Sequence, residues 1–347
     1  MTEKSTASVR LETVLKGEQA DRLPCICPGG MMNMLTAQLM ELAGAYWPAA
    51  HTDPQIMAKL ASATYTNRLF DNIGVPFCMT VEAEAMGAKT DLGDVYTEPR
   101  VTEYAITSVD GWQELKPMDM TVGRAKTVLE AIALIKQEHP DAAIIGNLTG
   151  PISTASSAAD ANYFYRDLRK KKEAAHALVD FVTNQLVAFG KAQIEAGAEF
   201  IAISDPSGTG EILGPKLFEE YALPALNRLC RELKPLCKGV IVHICGQLKP
   251  IYPQLAKLEC SSLSVDAIVN VKALKEALPG MPVMGNVSTF ALAGGDENVI
   301  RKLCRSCINN GVDILAPACG LGTTTTVDSI RLMMNSVESA VEGSTND

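Results

Sequence analysis

The chain has 347 residues, of which 47% are hydrophobic and only 5% aromatic, and its formal net charge is −9 at pH 7. This length suits one large α/β domain or two small ones. The acidic balance argues against a nucleic-acid-binding surface, which needs a basic face, and no run of about 18 apolar residues is present to span a membrane. The N-terminal stretch MTEKSTASVRLETVLKGEQADR lacks the apolar region of a signal peptide, so a cytoplasmic location is expected.

Short β-rich runs recur along the chain and alternate with amphipathic helical stretches, as in parallel βαβ units. Eight such runs favour a closed (β/α)8 TIM barrel over an open sheet. The predicted strands are 24–27, 75–81, 142–148, 199–204, 239–245, 263–266, 281–287 and 313–316.

Two regions depart from simple alternation. Residues 1–70 are predicted to be a mainly helical N-terminal extension that includes the first strand, with an apolar helix near Met31 to Met34. Residues 87–112 are polar and predict an excursion near the barrel mouth. Because no linker rich in Gly, Ser or Pro occurs, a single domain over 1–347 is expected, with 71–347 forming the remainder of the barrel.

The ten cysteines lie in apolar runs or helix-like segments, without the density of a small disulfide-rich scaffold. Most are therefore expected to be reduced core residues. This interpretation also covers the CxxC pair Cys304 and Cys307, which falls in the last turns of a predicted helix.

A barrel concentrates its chemistry at the carboxyl ends of the strands. His243 and Cys245 lie two residues apart at the end of the fifth run, so their side chains point to the same face of the strand. Cys319 follows the eighth run and is expected at the same mouth. A His/Cys/Cys set leaves one position for a carboxylate, water or substrate, which is typical of a catalytic zinc site.

These motifs resemble a known family. The segments PFCMTVEAEAMGAK, TGPISTAS, EAGAEFIAISDPSG, HICG, GNVS and GVDILAPACG occur in the order found in the zinc-dependent methylcobamide:coenzyme M methyltransferases, within the uroporphyrinogen decarboxylase fold family. The resemblance implies a barrel, a Zn²⁺ held by His243, Cys245 and Cys319, and a thiol acceptor that binds the metal. True uroporphyrinogen decarboxylases carry an arginine-rich motif near the N-terminus, where this chain reads PCICPGGMMNM.

The resemblance also implies a methyl-corrinoid donor. The chain contains no DxHxxG-type segment, so the corrinoid is expected on a separate methylated corrinoid protein. Two regions are candidate docking sites for that partner: the excursion after Gly87 and the apolar stretch Met31 to Met34. Alternatively, the first is a surface loop and the second packs in the core.

Further site residues follow from the strand ends and the resemblance. Glu84 is the candidate for a fourth, displaceable zinc ligand or a supporting catalytic residue, and Glu82 is a weaker one. Asp205, before Pro206, is a further catalytic-site candidate, expected to act by hydrogen bonding. Asn147, Asn286 and Ser288 could bind cofactor or acceptor, or stabilise turns.

The sequence is also compatible with other functions. The methyl acceptor could be tetrahydrofolate instead of coenzyme M, or the chain could be a zinc-dependent homocysteine methyltransferase. It could also be a non-catalytic, zinc-stabilised scaffold that binds corrinoid proteins, although structural zinc usually has four protein ligands.

Overall fold

The fold is that of a computed structural model, which describes residues 5–343. Seven parallel strands form one curled sheet, and a separate hairpin contains two more. The strands are β1 (Asn72–Val75), β2 (Lys89–Asp91), β3 (Arg100–Glu103), β4 (Ala143–Thr149), β5 (Phe200–Ser204), β6 (Val240–Ile244), β7 (Ser262–Val265), β8 (Val283–Val287) and β9 (Ile314–Pro317).

Helices connect these strands and cover the sheet. They are α1 (Ala7–Leu15), α2 (Ala37–Ala43), α3 (Pro54–Thr66), α4 (Val81–Ala85), α5 (Gly123–Glu138), α6 (Pro151–Ala158), α7 (Ala161–Lys170), α8 (Lys172–Ala196), α9 (Gly210–Leu217), α10 (Leu223–Leu233), α11 (Tyr252–Leu255), α12 (Val271–Ala277), α13 (Thr289–Gly294), α14 (Glu297–Asn309) and α15 (Val327–Gly343). None of the helices in the described part of the chain is both long and apolar enough to cross a membrane.

The main sheet has the strand order β1-β4-β5-β6-β7-β8-β9, with every neighbouring pair parallel. Nearly every residue of these strands is buried, as expected for a parallel sheet whose two faces are both covered. This explains why the strands appear in the sequence as continuous apolar runs. Because the strands are parallel, all their carboxyl ends lie at one edge of the sheet.

The first predicted strand, 24–27, is not a regular strand but an isolated bridge between Cys25 and Leu315. The amide of Leu315 donates to the carbonyl of Pro24, and the amide of Asp71 donates to the carbonyl of Cys25. The segment therefore hydrogen-bonds on one side to β9 and on the other to the residue before β1. Pro24 has no N–H to donate, which limits the ladder here.

The second predicted strand was wrong in its bounds. A strand over 75–81 was expected, but β1 ends at Val75. It ends there because Pro76 has no N–H to donate to a sheet ladder. The chain then turns and enters the short helix α4, which carries Glu82 and Glu84. These two carboxylates therefore lie on a helix, not on a strand end.

The apolar helix expected near Met31 to Met34 is also wrong. Residues 29–32 form a tight turn, and α2 begins only at Ala37, with the Thr36 side chain accepting a bond from the Leu39 amide as its N-cap. Met32 and Met34 are fully buried, so they offer no docking surface.

The polar stretch after Gly87 contains the antiparallel hairpin of β2 and β3. Its turn meets the segment that follows β9, where the Thr323 hydroxyl donates to the carbonyl of Tyr96 at 3.2 Å. The hairpin therefore lies close to the carboxyl end of the last strand.

Candidate metal centre

Three ligand-type side chains meet at the carboxyl edge of the sheet. His243 is the fourth residue of β6, Cys245 directly follows that strand, and Cys319 lies two residues beyond β9. The imidazole nitrogen and the two sulfur atoms all lie within 4.8 Å of one another. Among the residues that the structure describes, this is the one group of three or more His, Cys, Asp or Glu side chains close enough to hold a metal ion.

The imidazole of His243 has a defined orientation. Its Nε2 lies 3.0 Å from the Cys245 sulfur, and its Nδ1 lies 2.9 Å from the Ser264 hydroxyl. His243 is 1% exposed, whereas the two cysteines are partly exposed. The centre therefore has a buried nitrogen side and an open sulfur side.

The two thiols shift each other's pKa in opposite directions. A hydrogen bond from Cys245 lowers the pKa of Cys319, although burial opposes this shift. The same bond from the thiol of Cys245 to Cys319, together with burial, raises the pKa of Cys245. Of the two thiols, that of Cys319 is therefore the more easily deprotonated.

Two glycines give the ligand loops their shape. Gly246, directly after Cys245, has a φ of +76°, and a Cβ there would lie 2.5 Å from a Glu211 carboxylate oxygen. Gly320, directly after Cys319, packs so closely on the 31–33 turn that a Cβ would lie 2.5 Å from the carbonyl oxygen of Met31. A side chain at position 320 would displace the loop, whereas at position 246 the Glu211 carboxylate could move aside and the strain would come from the positive φ.

Glu84 is not among the groups brought together with the three ligands. Its carboxylate accepts from the Arg124 guanidinium, with the Nε contact at 2.9 Å, and the same guanidinium donates to Thr80 and to the Cys78 sulfur. Since Arg124 is buried, Glu84 is the counter-charge that it needs.

Glu82 points to the end of β4. It is 1% exposed and accepts from the Thr149 amide at 2.7 Å and from the Thr149 hydroxyl at 3.0 Å. Burial raises the pKa of Glu82 to about 7. The carboxyl therefore supports the carboxyl end of β4.

Asp205 and Asn147 both make structural hydrogen bonds. The fully buried carboxylate of Asp205 accepts from the first amides of α6, those of Ile152 and Ser153, and from the Ser153 hydroxyl. Asn147 donates to the carbonyls of Pro28 and Val75. Asp205 thus anchors the helix after β4, and Asn147 holds the 28–30 segment against β1.

Asn286 and Ser288 lie at the end of β8 and also bond within the chain. The Asn286 amide donates to the carbonyls of Asp266 and Val269, which fixes the loop after β7. Ser288 caps α13 by accepting from the amide of Ala291.

Glu98, which sequence reasoning missed, also lies near the centre. Its carboxylate accepts from the Asn33 side chain at 3.4 Å, and its pKa is raised by desolvation and by the nearby thiols Cys78 and Cys319. The only signal in the sequence was its place in the polar excursion 87–112, because the contact depends on how the hairpin folds back.

A comparison with known families matches residues 6–340 to the model of uroporphyrinogen decarboxylase (URO-D). The chain belongs to the uroporphyrinogen decarboxylase family. The fold-family resemblance found in the sequence is therefore confirmed, over almost the whole length.

Within the uroporphyrinogen decarboxylase family, the chain is similar to methyltransferases. It is 31% identical to methylcobamide:CoM methyltransferase MtbA of Methanosarcina acetivorans, over 95% of this chain and 96% of the relative. It is 30% identical to methylcobamide:CoM methyltransferase MtaA of Methanosarcina barkeri, with the same coverage. A solved methyltransferase from Methanosarcina mazei superposes with a TM-score of 0.90 at 30% identity, covering 97% of this chain and 99% of that one.

Proposed function

We propose that this protein transfers a methyl group from a methylated corrinoid protein to a thiol acceptor, with coenzyme M as the first candidate, and that it does so with a zinc ion held by His243, Cys245 and Cys319. The observation that carries the proposal is the convergence of these three side chains at the carboxyl edge of the sheet. The relatives named methylcobamide:CoM methyltransferases support the choice of donor and acceptor.

The three side chains fit zinc by their chemistry. Imidazole nitrogen and thiolate sulfur are preferred ligands of this metal, and three protein ligands leave a position for a substrate. The partial exposure of Cys245 and Cys319 supports a substrate position on the open side of the centre. A zinc ion bound there would hold an acceptor thiol in its deprotonated, nucleophilic form.

The chain's own residues set the conditions for this chemistry. Cys245 and Cys319 supply negative charge, which keeps electron density on an acceptor sulfur beside them. His243 supplies a neutral nitrogen from the buried side. Glu84 and Asp205 support the surroundings, because the first balances Arg124 and the second fixes α6.

The proposed methyl transfer needs no reactant other than the acceptor thiol and the methylated corrinoid. The acceptor thiol gives up its proton to solvent water, and its sulfur forms a bond to the methyl carbon. The bond from that carbon to the cobalt of the corrinoid breaks, and its electron pair stays with the cobalt. The donor is a substrate carried by the partner protein, whose methyl group must reach the open sulfur side of the centre.

An anaerobic spectral assay tests the proposal. Zinc-loaded protein is mixed with free methylcobalamin and offered either coenzyme M or tetrahydrofolate. We expect the methyl-cobalt spectrum to disappear with coenzyme M only, and the rate to fall to background after zinc is removed by a chelator. Turnover with tetrahydrofolate only, or turnover unaffected by zinc removal, would contradict the proposal.

A further inference from the structure

The imidazole of His243 has one hydrogen-bond partner on its buried side. Nδ1 lies 2.9 Å from the hydroxyl of Ser264, which is fully buried in β7. The two residues are direct neighbours in the register of β6 and β7, so the sheet itself fixes this contact.

The hydroxyl of Ser264 has a second neighbour of its own. The sulfur of Met32, also fully buried, lies 3.5 Å from the Ser264 oxygen and can accept its proton weakly. With its proton directed to Met32, the hydroxyl keeps its lone pairs for a hydrogen bond from Nδ1–H. The two contacts are compatible in one orientation of the hydroxyl.

We propose that Ser264 is a positioning residue of the metal centre, which keeps the proton of His243 on Nδ1 and so leaves Nε2 free to bind the metal. The inference rests on the proposed function only in taking zinc as the metal. Partners of the non-ligating nitrogen of a metal-bound histidine set its tautomer and orientation, and their loss typically weakens metal binding.

The role is open to a matched test within one strand. Ser262 precedes Ser264 by two residues in β7, is equally buried, and bonds the carbonyl of Pro282 at 3.0 Å. It therefore controls for the loss of a buried hydroxyl from this strand. The variants are Ser264→Ala and Ser262→Ala.

Zinc affinity is measured by competition with a chromophoric chelator. We expect Ser264→Ala to bind zinc about 10- to 100-fold more weakly than the wild type, and Ser262→Ala to match the wild type. Should Ser264→Ala fail to fold, the pair Ser264→Thr and Ser264→Val replaces it. These side chains have nearly the same shape, and only threonine keeps the hydroxyl, so threonine should bind zinc more tightly than valine.

A spectroscopic measurement separates positioning from a general structural effect. In zinc-loaded protein with ¹⁵N-labelled histidine, the Nδ1 proton of His243 should be visible and slow to exchange. Ser264→Ala should exchange this proton rapidly, whereas Ser262→Ala should not. Either equal zinc affinity or an unchanged Nδ1 proton in Ser264→Ala would overturn the inference.

A negative result for Ser264 can be told apart from failure of the proposed methyl transfer. If the wild type binds zinc but transfers no methyl group to coenzyme M, the function fails, and the affinity ratio of the variants still decides the role of Ser264. If methyl transfer is zinc-dependent and Ser264→Ala binds zinc normally, the function stands and the inference fails.

Discussion

Glu82 and Glu84 lie two residues apart on α4, yet their surroundings differ. The Glu84 carboxylate is paired with a guanidinium, whereas the buried Glu82 carboxylate accepts from the amide and the hydroxyl of Thr149. For Glu82, the loss of hydration outweighs these two hydrogen bonds, which accounts for its raised pKa.

This difference predicts a pH-dependent effect of Glu82→Gln. A pKa raised from 4.5 to about 7 means that the stabilisation from Glu82 is complete below pH 4.5 and is lost as the pH rises through 7. Glutamine stays neutral, so the variant should be more stable than the wild type at pH 8, by roughly 3 kcal/mol. The gain should vanish near pH 4.5, as measured by urea unfolding at both pH values.

An exposed carboxylate serves as the control for Glu82→Gln. Glu130 forms a surface ion pair with Lys126, and Glu130→Gln should change the free energy of unfolding by less than about 1 kcal/mol at either pH. If Glu82→Gln behaves like Glu130→Gln, the buried carboxyl is ionised at little cost and our account of it is wrong.

At the scale of elements, the strands of the main sheet were predictable wherever both faces are buried. The run 199–204 matches β5 almost residue for residue, because a fully buried parallel strand is a continuous apolar run. Near 75–81 the apolar run crosses Pro76, and composition alone does not show that the ladder stops there. The bridge at 24–27 is irregular because the segment bonds both to β9 and to the residue before β1, which depends on how the seven-stranded sheet curls.

A buried charge network ties this bridging segment to α1 and to the loop that follows that helix. Asp71 accepts from Arg10 at 3.3 Å, from Arg22 at 2.6 Å, and from the amide of Cys25 at 2.8 Å. The carboxylate therefore joins α1, the loop after it, and the start of β1.

We expect Asp71→Asn to lower the free energy of unfolding by about 3 kcal/mol, because it leaves two largely buried guanidinium groups without this counter-charge. Chemical denaturation at neutral pH measures the loss. The comparison variant is Asp91→Asn, whose exposed ion pair with Arg100 should contribute no more than about 1 kcal/mol. Equal losses in the two variants would show that the network does not hold the bridging segment.

At the scale of the whole molecule, the sequence was informative about the candidate metal-ligating residues. It was much less informative about the side chains that hydrogen-bond to the residues of the site. His243, Cys245 and Cys319 could be found because strand alternation and strand ends place them at one edge. Ser264 could not be paired with His243 in advance, since their contact depends on the register between β6 and β7. Arg124 was missed because it reaches Glu84 from another helix, and sequence alone does not show how the two helices pack.

The candidate metal centre lies at the edge of a large apolar core, and this placement decides how a bound zinc ion should affect stability. The core of the sheet and helices is built without the three ligands, so the metal-free protein should stay folded and unfold cooperatively. A ligand that binds only the folded state adds stability through mass action. At a free zinc concentration of 100 times the dissociation constant, the gain should be about 2.7 kcal/mol.

Cys319→Ala should remove this gain while leaving the metal-free stability near that of the wild type, as followed by urea unfolding with and without zinc. Cys307→Ala is the matched control, because Cys307 is a buried cysteine of α14 that contacts Asn286. It should unfold more easily than the wild type but keep the full stabilisation by zinc. Unfolding of the wild type on metal removal, or of Cys319→Ala at any zinc concentration, would instead favour a scaffold whose fold depends on the metal, and would count against a catalytic zinc.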